Sequence, residues 1–390
     1  MASEPPTRVA FAIETPIFFG GGVSVLVREL IECLSPRFAL VLVSPDESET
    51  IRASPLAALL SAHIPWARPM AGGGADELAA RIVAAGVQVA HFHMAGNFSW
   101  GNRTPWTSPF PRLRRAGVRC LTTSHLVVSP GHGLLAPATP WWKRQVKYFF
   151  AWVGKMRALA NQEREIAVSQ HDLRLLRRWY FPLRKKFIRI YHSRLDESAA
   201  PTGPRRPVIL HVGHRAQRKG QLDLVRAFSM IAERRPAWEL MLVGPVIEPE
   251  YEAEIVALVR AAGLEKRVHL LGQRDDAGEL MQTAAVYVQP SLQEALGLAL
   301  QEALFAGCAC VGTRVGGIPE LIEHDRTGLL TAPGDAAGMA AALERLLDAP
   351  AERERLGAAG AASIRDRGMT AERMASEYAA LYEKLLSPRR

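Results

Sequence analysis

The chain of 390 residues reads as an α/β protein made of two Rossmann-like domains, and three observations lead there. Short β-branched runs alternate with longer stretches of helical period, the pattern of parallel sheets covered by helices. That pattern occurs twice, on either side of a segment without periodicity at 197–207. With 48% hydrophobic and 22% charged residues, each half is long and apolar enough to bury a core of its own.

In the first half, strands are expected at Val9–Ile13, Leu40–Ser44, Val89–His93, Cys120–Ser124, Ile166–Ser169 and Ile188–Tyr191. Between the first two, Val23, Leu26, Val27, Leu30, Ile31 and Leu34 recur at steps of three and four, the face of an amphipathic helix. A further helix is expected over Thr139–Ala160, started by Pro140, with Trp142, Val146, Phe149, Val153, Met156 and Ala160 as its buried stripe. Its remaining faces carry Lys143, Arg144, Lys147, Lys155 and Arg157 as a charged back. Trp141, Phe150 and Trp152 fall outside the stripe and support a second reading, a basic helix lying in a membrane interface.

The linker at 197–207 is rich in Ala, Pro and Gly. Beyond it, strands are expected at Val208–Val212, Leu240–Val243, Val268–Leu271, Val286–Gln289 and Cys308–Gly312. Leu222, Val225, Ile231 and Ala232 form the stripe of one intervening helix, and Tyr251, Ile255, Leu258 and Val259 that of the next. The tail Ala336–Leu386, rich in Ala, Glu and Arg, reads as helices. The expected domains are 1–196 and 208–370, with a last helix in 371–390.

Charge is divided unevenly. Residues 1–200 hold 25 Lys and Arg against 14 Asp and Glu, whereas 201–390 hold 23 against 25. The excess on the first half points to an acidic partner, an anionic lipid surface, a pyrophosphate-linked acceptor or nucleic acid, or else to a surface charge that serves only solubility. No nucleic-acid module is visible, so no nucleic acid is expected. Cys33, Cys120, Cys308 and Cys310 form no CxxC pair and read as free thiols. The apolar run Val9–Ile13 is too short for a signal-peptide core or a membrane span, which predicts a cytoplasmic protein.

The richest stretch is Gln289–Glu320, QPSLQEALGLALQEALFAGCACVGTRVGGIPE, in which a strand ends and a helix starts near Gly297. Ligands of open α/β sheets bind at the carboxyl ends of strands, beside such helix starts. The backbone N–H groups of Gly297, Leu298 and Ala299 suit a diphosphate there. Glu302 can accept two hydrogen bonds from a vicinal diol such as a ribose, and Glu294 from the hydroxyls of a second sugar. This segment, with VGGIPELI, TGLL and Asp335 after it, resembles the E-x7-E signature of glycosyltransferase family 4. The resemblance implies the GT-B fold and a last helix returning to the N-terminal domain, while the basic aromatic helix Thr139–Ala160 adds the inner face of the membrane to the expected cytoplasmic location. It also gives Glu294 to the donor sugar and Glu302 to the ribose.

A second signature, VILHVGHRAQRKGQLDLVRAF, puts a basic loop after a strand. Cations there can neutralise a leaving diphosphate, and the resemblance gives that role to Lys219. The family's Arg position holds His214, beside Arg215 and Arg218, so either Arg215 or His214 is expected to meet the phosphate. No D-x-D motif is present, since Asp275 and Asp276 are adjacent, and neither a metal nor another cofactor is expected. Gly20, Gly21 and Gly22 precede the first helix, where glycine lets backbone approach an anion; the resemblance assigns Gly21 and Gly22 to the donor phosphates. His125, after its strand, is expected by resemblance near the reacting centre. His91 is read as a structural histidine, and no carboxylate lies at ligand spacing to make a metal site of His91 and His93. Ser169 fits the family's AVS element, and His192 replaces the Asn of its NG-x-D loop. The loop carrying Gln273 and Arg274 is expected to bind the base.

The implied activity is a metal-independent, retaining hexosyl transfer from a nucleotide sugar to a hydroxyl of a glycan, a lipid-linked or a small-molecule acceptor. No carboxylate is an obvious covalent nucleophile, which favours a front-face mechanism in which the leaving phosphate deprotonates the acceptor. An epimerase or phosphorylase of the same fold, or a non-catalytic nucleotide-sugar-binding protein, are the alternatives. A Rossmann oxidoreductase is disfavoured because Val25 breaks the G-x-G-x-x-G fingerprint.

Overall fold

The computed structural model describes residues 6–19, 21–67, 69–96, 98, 100–101, 107–128, 141–194 and 203–387, the Arg144 side chain excepted. Gly20, Thr139 and Pro140 lie outside the described residues. The chain divides into two compact units, Met1–His192 with Ala371–Arg390, and Ser193–Thr370.

Among the described residues of the first unit, seven strands form one parallel sheet: β1 Arg8–Ala12, β2 Ala39–Ser44, β3 Leu60–Pro65, β4 Val89–Met94, β5 Arg119–Ser124, β6 Arg164–Ala167 and β7 Phe187–Arg189. Their order is β3-β2-β1-β4-β5-β6-β7, so the winding reverses between β1 and β4. Val9, Phe11, Val41, Val43, Ala90 and Phe92 are fully buried, each large side chain contributing roughly 1.5–3 kcal/mol. Phe92 meets Trp100 and Phe110 edge to face, with ring centroids 5.1 and 5.0 Å apart. The helix Ala371–Leu386 buries Met374, Ala375, Tyr378, Ala379 and Tyr382, a stripe at helical spacing, within this unit.

The second unit has six described strands, all parallel: β8 Arg206–Val212, β9 Glu239–Val243, β10 Val268–Leu271, β11 Ala284–Gln289, β12 Ala309–Thr313 and β13 Leu329–Thr331. Here the order is β10-β9-β8-β11-β12-β13, with the reversal between β8 and β11. Its core joins Phe228, Ile231, Leu240, Ile255, Val286, Val311 and Leu343.

Two strands, β3 and β13, are absent from the sequence reading, and both are sheet edges. An edge strand is held by one ladder and needs no apolar pattern. β3 alternates poorly, and β13 has only three residues. Ser169, expected to end a strand, instead caps the helix Gln170–Trp179, its hydroxyl accepting from the Asp172 N–H at 3.1 Å.

The helix Trp141–Ala160 departs most from expectation. Trp142, Val146 and Phe149, assigned to a buried stripe, are exposed, while Lys155, assigned to the charged back, is fully buried. Among the described residues, the helix is anchored through its second half, by Ala151, Lys155, Ala158 and Leu159. Lys155 Nζ lies 2.7 Å from Glu165 Oε2 on β6, and the same carboxylate accepts from Ser124 and Gln162. A buried carboxylate so placed draws in the ammonium, which an apolar count does not register. Among the described residues, no helix is long and apolar enough to cross a membrane.

Candidate functional site

In the second unit, the reversal between β8 and β11 brings together the two loops that the motifs mark. The Arg218 carbonyl accepts from the N–H groups of Leu292 and Gln293, at 2.8 and 3.1 Å, and clamps the β8 loop to the β11 loop. Gly220 has a positive φ of 70°, and a Cβ there would stand 2.0 Å from the Pro290 carbonyl oxygen, so only glycine fits this approach. On the other side, a Cβ on Gly316 would meet the Glu294 carbonyl oxygen at 1.6 Å. The Thr313 hydroxyl donates to the Ser291 carbonyl at 2.6 Å. Glycines at these contacts are thus what let β8, β11 and β12 deliver their loops to one place.

The result is a tight polar cluster. Lys219 Nζ lies 2.7 Å from Glu294 Oε2, which also accepts from Gln289 Nε2 and Ser291 Oγ, each at 3.2 Å. Burial works to raise the Glu294 pKa, but the Lys219 ammonium and its hydrogen bond, Arg218 and Ser291 outweigh it and hold the carboxyl below its usual value. The helix Leu298–Phe305 starts directly after, with Gly297 at its N-cap in the left-handed region, φ 99°. Leu298 and Ala299 occupy the first turn, whose N–H groups have no carbonyl partner within the helix. Glu302, one turn on, is paired with Arg194 Nη1 at 2.7 Å. Beneath the cluster, His211 donates from Nδ1 to the Val288 carbonyl at 2.9 Å, and burial lowers its pKa to about 4.

Arg215 requires a correction. Its side chain is only 4% exposed, and its Nη1 donates to the carbonyls of Leu242 and Leu271 at 3.1 and 2.7 Å. Its Nε lies 2.7 Å from Glu252 Oε2 as an ion pair out of line for a hydrogen bond. The guanidinium is therefore spent on tying the ends of β9 and β10 to the helix Pro249–Ala261, and no phosphate contact is assigned to it. His214 is half-buried, its carbonyl accepting from Gln221 at 2.8 Å. Gln273 and Arg274 are exposed on the loop after β10, where Arg274 is paired with Asp276 at 2.5 Å.

The first unit offers a second constellation at the carboxyl ends of its strands. Gly21 caps the helix Gly22–Leu34 with an extended φ of −91°, so close approach, not a left-handed conformation, is what glycine can supply there. Four histidines cluster in this unit: His91 and His93 on β4, His125 directly after β5 and His192 after β7. His93 Nδ1 is 3.1 Å from His125 Nε2, and the His125 and His192 rings are 4.9 Å apart. His91 bridges Tyr382 and Thr123, each at 2.7 Å. Thr123 continues to Tyr378 at 3.1 Å, and Tyr378 to His192 at 2.8 Å. Burial lowers the pKa of His91 and His125 to about 3 and those of His93 and His192 well below 6.5, so all four rings are neutral at neutral pH.

Lys219, Glu294, Gly297, Leu298 and Glu302 thus come together in the second unit, while Gly21, Gly22 and His125 belong to the first. The sequence reading missed Arg194, because nothing local links it to a residue 108 positions away. It also missed Gln289 and Ser291 as partners of Glu294, although both stand inside the quoted motif, and the two tyrosines of the last helix.

Residues 195–363 match the family model described as Glycosyl transferases group 1. Over 179 residues the chain is 34% identical to the N-acetyl-alpha-D-glucosaminyl L-malate synthase of Bacillus anthracis, covering 46% of each chain. Over 254 residues it is 30% identical to the alpha-maltose-1-phosphate synthase of Mycobacterium tuberculosis, covering 58% of this chain and 65% of that one. The chain thus spans about half to two thirds of the length of these curated relatives. A solved structure described as a glycosyltransferase from Rickettsia africae has the same fold, with a TM-score of 0.78 over 98% of this chain and 100% of that one at 17% identity. The Anabaena protein Alr3699/HepE, solved in complex with UDP, aligns over 97% of this chain and 100% of its own with a TM-score of 0.75, also at 17% identity.

Proposed function

We propose that this GT-B chain, whose residues 195–363 match the family model described as Glycosyl transferases group 1, moves a sugar from a nucleoside diphosphate sugar to an acceptor hydroxyl. The observation that carries this reading is the cluster at the β8/β11 reversal: Lys219 2.7 Å from Glu294, beside the first turn of the helix Leu298–Phe305. An ammonium and a helix N-terminus are charges suited to a leaving diphosphate. Glu294 binds the donor sugar in this reading, and Glu302 the ribose diol. Gly21 and Gly22 serve the phosphates, His125 meets the sugar, and the loop with Gln273 and Arg274 meets the base.

Arg194, held at Glu302, supplies a second cation in place of Arg215. With two cations and helix dipoles on the diphosphate, the transfer runs without a metal and, by a front-face route, with retention. The acceptor side has its own support. Trp141, Trp142, Val146, Phe149 and Phe150 are each at least 50% exposed on one helix, interleaved with exposed Lys143 and Lys147. This composition fits an anionic lipid surface. The acceptor is then lipid-linked, in glycan or surface-polysaccharide assembly at the cytoplasmic face of a membrane.

Thermal unfolding in the presence of UDP, GDP, ADP, TDP and their sugar conjugates tests the donor site, uracil nucleotides first because of the Anabaena complex. A nucleotide at about 100 times its Kd adds about 2.7 kcal/mol, and Glu302→Ala abolishes that gain while remaining folded. Lys219→Ala lowers kcat by about 100-fold or more. If no nucleotide stabilises the protein, the donor reading is wrong.

A further inference from the structure

The histidines at the ends of β4 and β5 include one bond and one buried atom that this chemistry leaves unused. His93 Nδ1 lies 3.1 Å from His125 Nε2. His93 is 1% exposed, and among the described residues its other ring nitrogen, Nε2, has no hydrogen-bond partner. Its carbonyl accepts from Trp100 Nε1 at 3.3 Å, and its ring packs on Phe11 and His91 with centroids 5.7 and 4.2 Å away. The ring is therefore fixed, and being neutral it carries one proton.

The unpartnered nitrogen decides where that proton sits. If His125 donated from Nε2, His93 would accept on Nδ1 and carry its own proton on Nε2, as an N–H buried without an acceptor. Buried orphan N–H groups are rarer than buried lone pairs without a donor. His93 therefore donates from Nδ1, His125 accepts on Nε2, and the neutral His125 ring keeps its proton on Nδ1.

We propose that His93 is a positioning residue that fixes the tautomer of His125, so that His125 offers an Nδ1–H donor to an oxygen of the transferred sugar. The proposal rests on the reading above that His125 touches substrate. It narrows what His125 does: a ring with Nε2 already accepting and Nδ1 protonated cannot take the acceptor's proton. His125 then orients the sugar by donating, and the proton of the acceptor hydroxyl passes to the leaving phosphate.

The test labels the histidines of the full chain with 15N and reads each tautomer from two-bond proton–nitrogen correlations. His125 is expected as the Nδ1–H form, and finding it as Nε2–H overturns the proposal. In the kinetic arm, His93→Phe keeps the ring and removes the donor; kcat falls on the order of tenfold with little change in the donor KM. His93→Asn, whose amide N–H takes the place of Nδ1–H, recovers most of the rate. An inactive His125→Ala beside an unimpaired His93→Phe sinks the positioning role alone, whereas a fully active His125→Ala sinks the reading beneath it as well. Should His93→Phe not fold, the wild-type spectrum and His93→Asn decide the matter.

Discussion

Arg215 and Lys219 stand four positions apart in one basic loop and have opposite fates. Lys219 lies at Glu294 in a polar cluster, whereas Arg215 turns inward to carbonyls and Glu252. Arg215→Ala is thus expected to act on folding. It leaves two carbonyls and a carboxylate without their partner and lowers stability by about 2 kcal/mol in chemical denaturation, with the nucleotide Kd little changed. A large loss of nucleotide affinity without loss of stability would restore Arg215 to the phosphate site. Two motifs made these residues legible, Lys219 in the loop after β8 and Glu294 with Glu302 in the loop and helix that follow β11, because spacing within each motif fixes its own neighbourhood. Which of His214 and Arg215 faces inward depends on β9, β10 and the helix Pro249–Ala261, which lie outside the motif.

At the scale of elements, the helix Trp141–Ala160 joins an anchored half to an exposed one. Lys155 and Leu159 hold it to the sheet, and Trp141, Trp142, Phe149 and Phe150 do not contribute to that anchor. Replacing these four aromatics by Ser is expected to leave the thermal midpoint within a few degrees, since exposed substitutions alter stability by about 0.5 kcal/mol or less each. The same variant is expected to lose sedimentation with vesicles containing anionic lipid, while the wild type binds them in a salt-sensitive way. Equal binding of both proteins would show that the helix is not the docking element. Periodicity alone located this helix and its aromatics, but the side that packs was set by Glu165 on β6, a strand read only in part.

Across the whole molecule, depressed histidines are concentrated in one unit. His63, His91, His93, His125 and His192 lie in Met1–His192, and burial is the first cause of each shift. In Ser193–Thr370 His211 is lowered to about 4. As the pH falls through 6.5 the unfolded chain takes up a proton on each of these rings, while the folded His91 and His125 wait until about 3. Folded stability is therefore complete above 6.5 and lost as pH falls below it, by up to about 1.4 kcal/mol per pH unit for each ring. Glu294, with its carboxyl depressed, contributes stability above its ordinary 4.5 that is lost only on further acidification. Hydrogen exchange at about pH 7.5 and 5.5 should show the first unit losing more protection than the second. Equal loss in both would contradict the buried, neutral histidines.

The α/β class, the paired sheets and the strand-loop-helix that carries Glu294 and Glu302 are written in the order of residues alone, because periodicity and motif spacing are local properties. So are the histidines at strand ends. Which side chains meet emerges on folding: Arg194 with Glu302, Lys155 with Glu165, and Tyr378 and Tyr382 with His91, Thr123 and His192. The physical reason is that burial and hydrogen-bond partnership are set by residues far away in the chain. A cation or a histidine carries no local mark of whether it will face solvent, a ligand or another side chain.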